Sequence, residues 1–141
     1  MPYKRPNYYT IYFSAGSATL ADSTTYYIGS NPVAFGTGHT PATGCVNYAM
    51  RSGRIIALHT CFSFGNIPTN ETVEMYVRKN DTTDYAVSTT SNLGAAYSYI
   101  SNNNLNIPIK AGDYLQLKLV IPAMVTNPTT SRMDGLAYVL V

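Results

Sequence analysis

The chain has 141 residues, 45% of them hydrophobic and only 11% charged, with a formal net charge of +2. One domain of this length buries about 65–70% of the surface its unfolded chain exposes, enough for a core without staples. The small charge is carried by Lys4, Arg5, Arg51, Arg54, Arg78, Lys79, Lys110, Lys118 and Arg132, scattered without the dense basic stripe that phosphate binding asks for, which argues against nucleic acid as a partner. No stretch approaches the ~20 apolar residues that cross a bilayer, so no membrane insertion is expected.

The polarity comes instead from Thr, Asn, Ser and 13 Tyr. Thr and Tyr favour strands while Asn, Gly and Pro punctuate them, and the Glu-, Lys- and Ala-rich wet faces of long helices are missing. The same mixture resembles the composition of protein contact surfaces. Residues 1–7, Met1-Pro2-Tyr3-Lys4-Arg5-Pro6-Asn7, read as an extended arm, either a frayed terminus or a tether onto a neighbouring subunit. They do not lead into a hydrophobic secretion segment, so the expectation is a protein made without a signal peptide and carried outside cells on a particle.

From residue 8 onward the pattern is one of strands. Tyr8-Tyr9-Thr10-Ile11-Tyr12-Phe13 is a strong β run closed by Ser14-Ala15-Gly16, and Thr25-Tyr26-Tyr27-Ile28 is a second. A Gly-, Thr- and Pro-rich loop over residues 36–44 leads to a strand candidate, Cys45-Val46-Asn47-Tyr48-Ala49-Met50. The longest candidate covers residues 54–64, where Ile56, Leu58, Phe62 and Phe64 form one apolar face interrupted by Thr60. In residues 71–79, Val73, Met75 and Val77 alternate with Glu74, Tyr76 and Arg78, the mark of one buried and one wet face. Asn80-Asp81 supplies a turn, since both residues tolerate positive φ, and Tyr85-Ala86-Val87-Ser88 returns as the hairpin partner. Tyr97-Ser98-Tyr99-Ile100 precedes an Asn102-Asn103-Asn104 turn, and residues 105–109 hold Pro108, which argues for an edge strand. Ala111-Gly112-Asp113 turns into residues 114–121, where Leu115, Leu117, Leu119 and Ile121 alternate with Tyr114, Gln116, Lys118 and Val120. The final run, Gly135-Leu136-Ala137-Tyr138-Val139-Leu140-Val141, is apolar on both faces; one can meet the core and the other a partner subunit. The fold class expected is all-β: an antiparallel β-sandwich, jelly-roll-like, with about eight to ten strands, occupying residues 8–141 as a single domain.

Candidate chemistry is sparse. His39, Cys45, His59 and Cys61 fall within 23 residues but lack the short knuckle spacings of zinc sites, so buried thiols and ordinary polar histidines are the preferred reading. His59 and Cys61 are two apart and project in parallel along a strand, which is poor geometry for a thiol–imidazole pair. Gly36-Thr37-Gly38 lacks the rest of a phosphate-binding fingerprint, and no G-x-S-x-G elbow occurs. Asp22, Asp81, Asp84, Asp113 and Asp134 sit mostly in turns, where Asp bonds the backbone. Asn70-Glu71-Thr72 and Asn80-Asp81-Thr82 match the glycosylation sequon, as chance allows in an Asn- and Thr-rich chain. We assign no catalytic, cofactor-binding or metal-ligating residue, and expect no enzyme and no cofactor.

Three segments occur together in a recognisable order: Arg51-Ser52-Gly53-Arg54-Ile55-Ile56, the hairpin of residues 71–80, and Ala111-Gly112-Asp113-Tyr114-Leu115-Gln116-Leu117. Over residues 51–141 the chain resembles the trimeric jelly-roll head domains of phage and viral fibres and spikes, related in shape to complement-type and tumour-necrosis-factor-like heads. The glycine usual after the hairpin Asn is replaced here by Asp81, and no collagen-like or coiled stalk precedes the head. The resemblance implies a non-enzymatic virion structural protein, a capsid decoration, spike or fibre head, at the virion surface. It implies a homo-oligomer, trimeric, burying apolar strand faces, with other capsid or fibre proteins contacted through Met1 to Asn7 and a host surface glycan or receptor as a further partner. Two alternatives stay open: a carbohydrate-binding, adhesin-like module whose Tyr97-Ser98-Tyr99 stretch stacks on sugars, and a small capsid protein that builds a shell itself.

Overall fold

The computed structural model describes residues 6–30, 46–66, 72–92 and 95–141. His39, Cys45, the glycine-rich loop, the first sequon's Asn70 and most of the N-terminal arm lie outside them. The described residues contain ten strands and no helix, and hence none long and apolar enough to cross a membrane.

The strands are β1 (Tyr8–Ala18), β2 (Thr25–Ile28), β3 (Asn47–Tyr48), β4 (Gly53–Ser63), β5 (Thr72–Lys79), β6 (Thr83–Asn92), β7 (Tyr97–Asn102), β8 (Ile107–Ile109), β9 (Tyr114–Val120) and β10 (Ser131–Leu140). They form two antiparallel five-stranded sheets, one in the order β1-β10-β4-β7 and the other β2-β9-β5-β6. β8 follows β7 along the same edge of β4, and β3 pairs with β9, which β2 also borders. Counting each of those pairs as one broken strand, successive strands alternate between sheets at the ends and join as a hairpin in the middle, which is jelly-roll winding. The first and last strands lie side by side, and Val141 N–H donates to the Asn7 carbonyl at 2.8 Å.

The inner faces carry the period-two pattern of the sequence. Phe13, Leu58, Phe62, Ile100, Met133, Ala137 and Val139 meet Ile28, Val73, Met75, Val77, Leu115, Leu117 and Leu119, all at most 2% exposed. Thr60, the polar residue in the β4 face, is buried because its hydroxyl donates to the Ile100 carbonyl at 2.9 Å, which satisfies the group. Pro108 sits in the edge strand β8, where its missing N–H breaks no central ladder.

The Asn80-Asp81 hairpin forms as expected, with φ of 53° and 59° at its two central residues. Asp81, standing where glycine would be free of strain, is held there by its surroundings. Its carbonyl accepts from Arg78 Nη2 at 2.5 Å and its carboxylate from the Tyr114 hydroxyl at 3.1 Å. Asn80 reaches across to the β8–β9 turn: Nδ2 donates to Asp113 Oδ1 at 2.8 Å, and Oδ1 accepts the Tyr114 N–H at 3.0 Å. That second turn places Gly112 at φ 89°, a conformation glycine adopts freely.

Three sequence expectations are corrected. β1 runs on through Gly16 to Ala18, with a register shift between Ala15 and Ala18. The strand expected over residues 45–50 shortens to Asn47–Tyr48 among the described residues. In β4, Tyr138 faces Ala57 while Val139 faces Ile55, so Ile56 is an inserted bulge residue. The insertion reverses the inward–outward alternation: Ile55 and Leu58 are both fully buried, whereas Ile56 moves to the outer side, half-buried, instead of continuing the Leu58 face.

Candidate functional site: the outer face of the β1-β10-β4-β7 sheet

The two outer faces of the sandwich differ in chemistry. On the β2-β9-β5-β6 sheet, Asp84 accepts from Lys118 Nζ at 2.7 Å and pairs with Arg78 at 3.3 Å. Arg78 lies over the Tyr27 ring at 5.5 Å, Lys118 over Tyr76 at 5.4 Å, and the Tyr76 hydroxyl donates to Glu74 at 2.5 Å, which holds that phenol's pKa above its ordinary value. Charges and rings are matched within the sheet, and such exposed pairs add little stability but keep the face wet.

The other outer face is aromatic, with Asp134 and Arg132 as the charged residues in its rows. Cross-strand register sets Tyr12, Leu136, His59 and Ser101 in one row over β1, β10, β4 and β7, and Ser14, Asp134, Cys61 and Tyr99 in the next. Thr10, Tyr138 and Ala57 make the row on one side; Arg132, Ser63 and Tyr97 make the row on the other. Tyr8, Tyr12, Tyr97, Tyr99 and Tyr138 are 50, 49, 66, 70 and 38% exposed, and Leu136 is 37% exposed. At the ~200 Å² that an aromatic side chain offers, the five rings together leave about 550 Å² uncovered.

Two hollows share this face. The first is lined by Tyr8, Tyr9, Thr10, Ile56, Ala57, His59 and Tyr138, and it exists because the bulge turned Ile56 outward. The second is lined by Tyr12, His59, Thr60, Cys61, Tyr99, Ser101, Asp134, Gly135 and Leu136. In it the Tyr12 hydroxyl donates to Asp134 Oδ1 in a short bond, and that carboxylate is the main reason the Tyr12 phenol titrates above its ordinary value, with burial adding to it. His59 stands between the hollows, with Nδ1 3.2 Å from Ser101 Oγ and its ring edge-on to Tyr138 at 5.8 Å.

His59 and Cys61 project side by side from one strand face, as their spacing implies, and the imidazole is engaged by Ser101. A Ser–His pair is half of a nucleophilic constellation, but its base needs a carboxylate to orient it. Here Asp134 takes the Tyr12 phenol. Among the described residues no group of three or more His, Cys, Asp or Glu could hold a metal ion. Sequence reading singled out Leu136, Tyr138, His59 and Cys61 and grouped Asp134 with turn aspartates; the structure instead puts Asp134 within β10, where it meets Tyr12. That pair is 122 residues apart, and the register of a central strand, invisible in one sequence, brings it together.

The fold and this face define an antiparallel jelly-roll sandwich with one side of paired charges and one aromatic side. Among solved structures, it resembles a chain of the infectious bursal disease virus Gx strain, with a TM-score of 0.53 and 16% identity over 98% of this chain and 33% of that one. It also resembles a chain of the cyanophage Pam1 capsid asymmetric unit, at a TM-score of 0.52 and 12% identity, covering 100% of both chains. The infectious bursal disease virus Gt strain gives 0.51 and 17% identity, over 96% of this chain and 32% of that one. The chain therefore spans about a third of the bursal disease virus chains and all of the phage chain. At these identities the likeness is one of fold. No protein-family model and no curated protein matches the sequence.

Proposed function

We propose that the chain is a non-enzymatic structural protein of a virion, a capsid decoration, spike or fibre head displayed on the particle surface, and that it works as a trimer. The observation that carries the reading is the end-to-end likeness to a phage capsid chain, in which neither chain has a part left over. Exposed aromatic surface supports an assembly: Tyr8 and Tyr138, 50 and 38% exposed at the hollow around Ile56, are costly to leave in water. We assign the subunit contact to the apolar hollow around Ile56, with Tyr8 and Tyr138 as its anchors, because buried aromatic side chains in pockets dominate interface energetics. A contact of one face on a different edge of the next copy closes into a three-membered ring when each copy is rotated by about 120° from the last. Residues 1–7 would then tether the trimer to its particle.

Light scattering coupled to size exclusion at micromolar concentration tests the assembly. The expected result is the mass of a trimer for the wild type, and of a monomer for Tyr8→Glu/Tyr138→Glu, with far-ultraviolet circular dichroism unchanged. A wild-type chain that runs as a monomer throughout would remove the trimer. A trimer indifferent to the double substitution would move the contact elsewhere.

A further inference from the structure

The second hollow differs in kind from the first. Its walls are the exposed rings of Tyr12 and Tyr99, its floor is Leu136 and Cys61, and three polar groups converge on it: the Asp134 carboxylate, the His59 imidazole and the Ser101 hydroxyl. We propose that this hollow is a binding site for a neutral sugar.

Each wall and each polar group has a counterpart in a pyranose. A carboxylate accepts up to about four hydrogen bonds, and Tyr12 takes one at Asp134, so acceptor capacity remains for a pair of vicinal hydroxyls. Hydrogen bonds to an ionised acceptor are the stronger kind, which suits Asp134 as the anchor. His59 and Ser101 each donate and accept, as sugar hydroxyls do. The rings present electron-rich faces, which attract the weakly positive C–H face of a pyranose. Tyr12 on β1 and Tyr99 on β7 are three strand spacings apart, about 14 Å between backbones, with Leu136 and Cys61 on the strands between them.

Charge decides against anionic ligands. No Lys or Arg lines the hollow, and its one formal charge is the Asp134 carboxylate, so acidic sugars and phosphates meet repulsion without compensation. The nearest cation along β10 is Arg132, two residues from Asp134 on the same face and outside the lining. A cationic peptide could also use the carboxylate and the rings, and basic peptides are therefore an arm of the test. His59 lines both hollows, but Tyr99, Ser101 and Asp134 belong to this one alone and Tyr8 and Tyr138 to the one around Ile56, so the two tests read different residues.

The test is a glycan array carrying neutral, sialylated and sulfated glycans, followed by saturation-transfer NMR with methyl glycosides of the neutral hexoses and with basic peptides. We expect at least one neutral glycan to bind, with affinity near the millimolar range usual for open, shallow sites. Tyr99→Ala and Asp134→Asn should each weaken it at least fivefold, while Tyr76→Ala on the opposite sheet leaves it unchanged. Tyr99 is 70% exposed, so its removal does not threaten the core and serves as the folding-safe variant. The absence of any neutral glycan at millimolar concentration would overturn the proposal. So would a preference for acidic glycans or basic peptides, or binding indifferent to both substitutions. Light scattering on the same samples separates this outcome from that of the trimer: a trimer that binds no sugar fails here alone.

Discussion

Asn80 ties the β5–β6 hairpin to the β8–β9 turn, and its replacement separates two physical terms. Asn80→Gly keeps the backbone at ease at φ 53° but removes both side-chain bonds, one donated to the Asp113 carboxylate at 2.8 Å and one accepted from the Tyr114 N–H at 3.0 Å. A bond to a charged acceptor contributes about 1.5–3 kcal/mol and a neutral one about 1, and the partial exposure of both puts the expected loss near 2–3 kcal/mol. Asn80→Ala should lose about 1 kcal/mol more, because a side chain with no local bond resists the left-handed region. The loss should also depend on pH. The Asn80 bond, chiefly, holds the Asp113 pKa below its ordinary value; burial opposes it, and the Lys110 N–H with the charges of Lys79 and Lys110 assist. A group whose folded pKa is depressed gives stability that is present above its unfolded pKa of ~3.9 and is lost as pH falls through the folded value. The gap between wild type and Asn80→Gly should therefore be full near pH 7 and shrink near pH 2. Urea unfolding followed by circular dichroism measures it, at one fixed protein concentration so that assembly does not enter the comparison. A deficit below about 0.5 kcal/mol at neutral pH, or one unchanged by acid, would refute the reasoning.

Gly53→Ala should cost about 1–3 kcal/mol in the same assay, since an added Cβ would stand 2.4 Å from the Leu140 carbonyl oxygen, a backbone atom that cannot step aside. Leu58→Ala, at a fully buried position beside the bulge, should cost about 2.5–5 kcal/mol by opening a cavity. NMR titration of ring-labelled tyrosines should find Tyr12 ionising above the ordinary tyrosine range, and Asp134→Asn should bring it down. The Tyr12–Asp134 bond accordingly adds stability that is present below the unfolded tyrosine pKa of ~10 and is lost as pH rises through the folded one. An unchanged Tyr12 titration in that variant would mean the pair does not persist in solution.

What one sequence reveals here is whatever depends on near neighbours along the chain. Val73, Met75 and Val77 on β5, and Leu115, Leu117 and Leu119 on β9, announce their buried faces by strict alternation. Asn80-Asp81 and Ala111-Gly112-Asp113 announce their turns by conformational preference. The bulge at Ile56 is not legible, because Ile55, Ile56 and Ala57 are all apolar and period two can be counted through them from either parity. Only pairing with Tyr138 and Val139 decides which side Ile56 joins. Gln116 misleads for a related reason: it points outward from β9, yet is 1% exposed beside Arg78. The aromatic face was half visible, in the two-sided final strand, but its second hollow needs Tyr12 and Asp134 to be neighbours, which is a fact of register.

The hydrogen bond between Asn7 and Val141 has a practical side. Both described ends of the chain leave the sandwich at one corner, so a fusion appended after Val141 emerges beside Asn7 and the start of β1. A reporter or antigen placed there would crowd that edge. The stretch at 123–127 leads into β10 from the far end of the same sheet, with Ala123 and Val125 exposed, and offers an insertion point directed away from that corner.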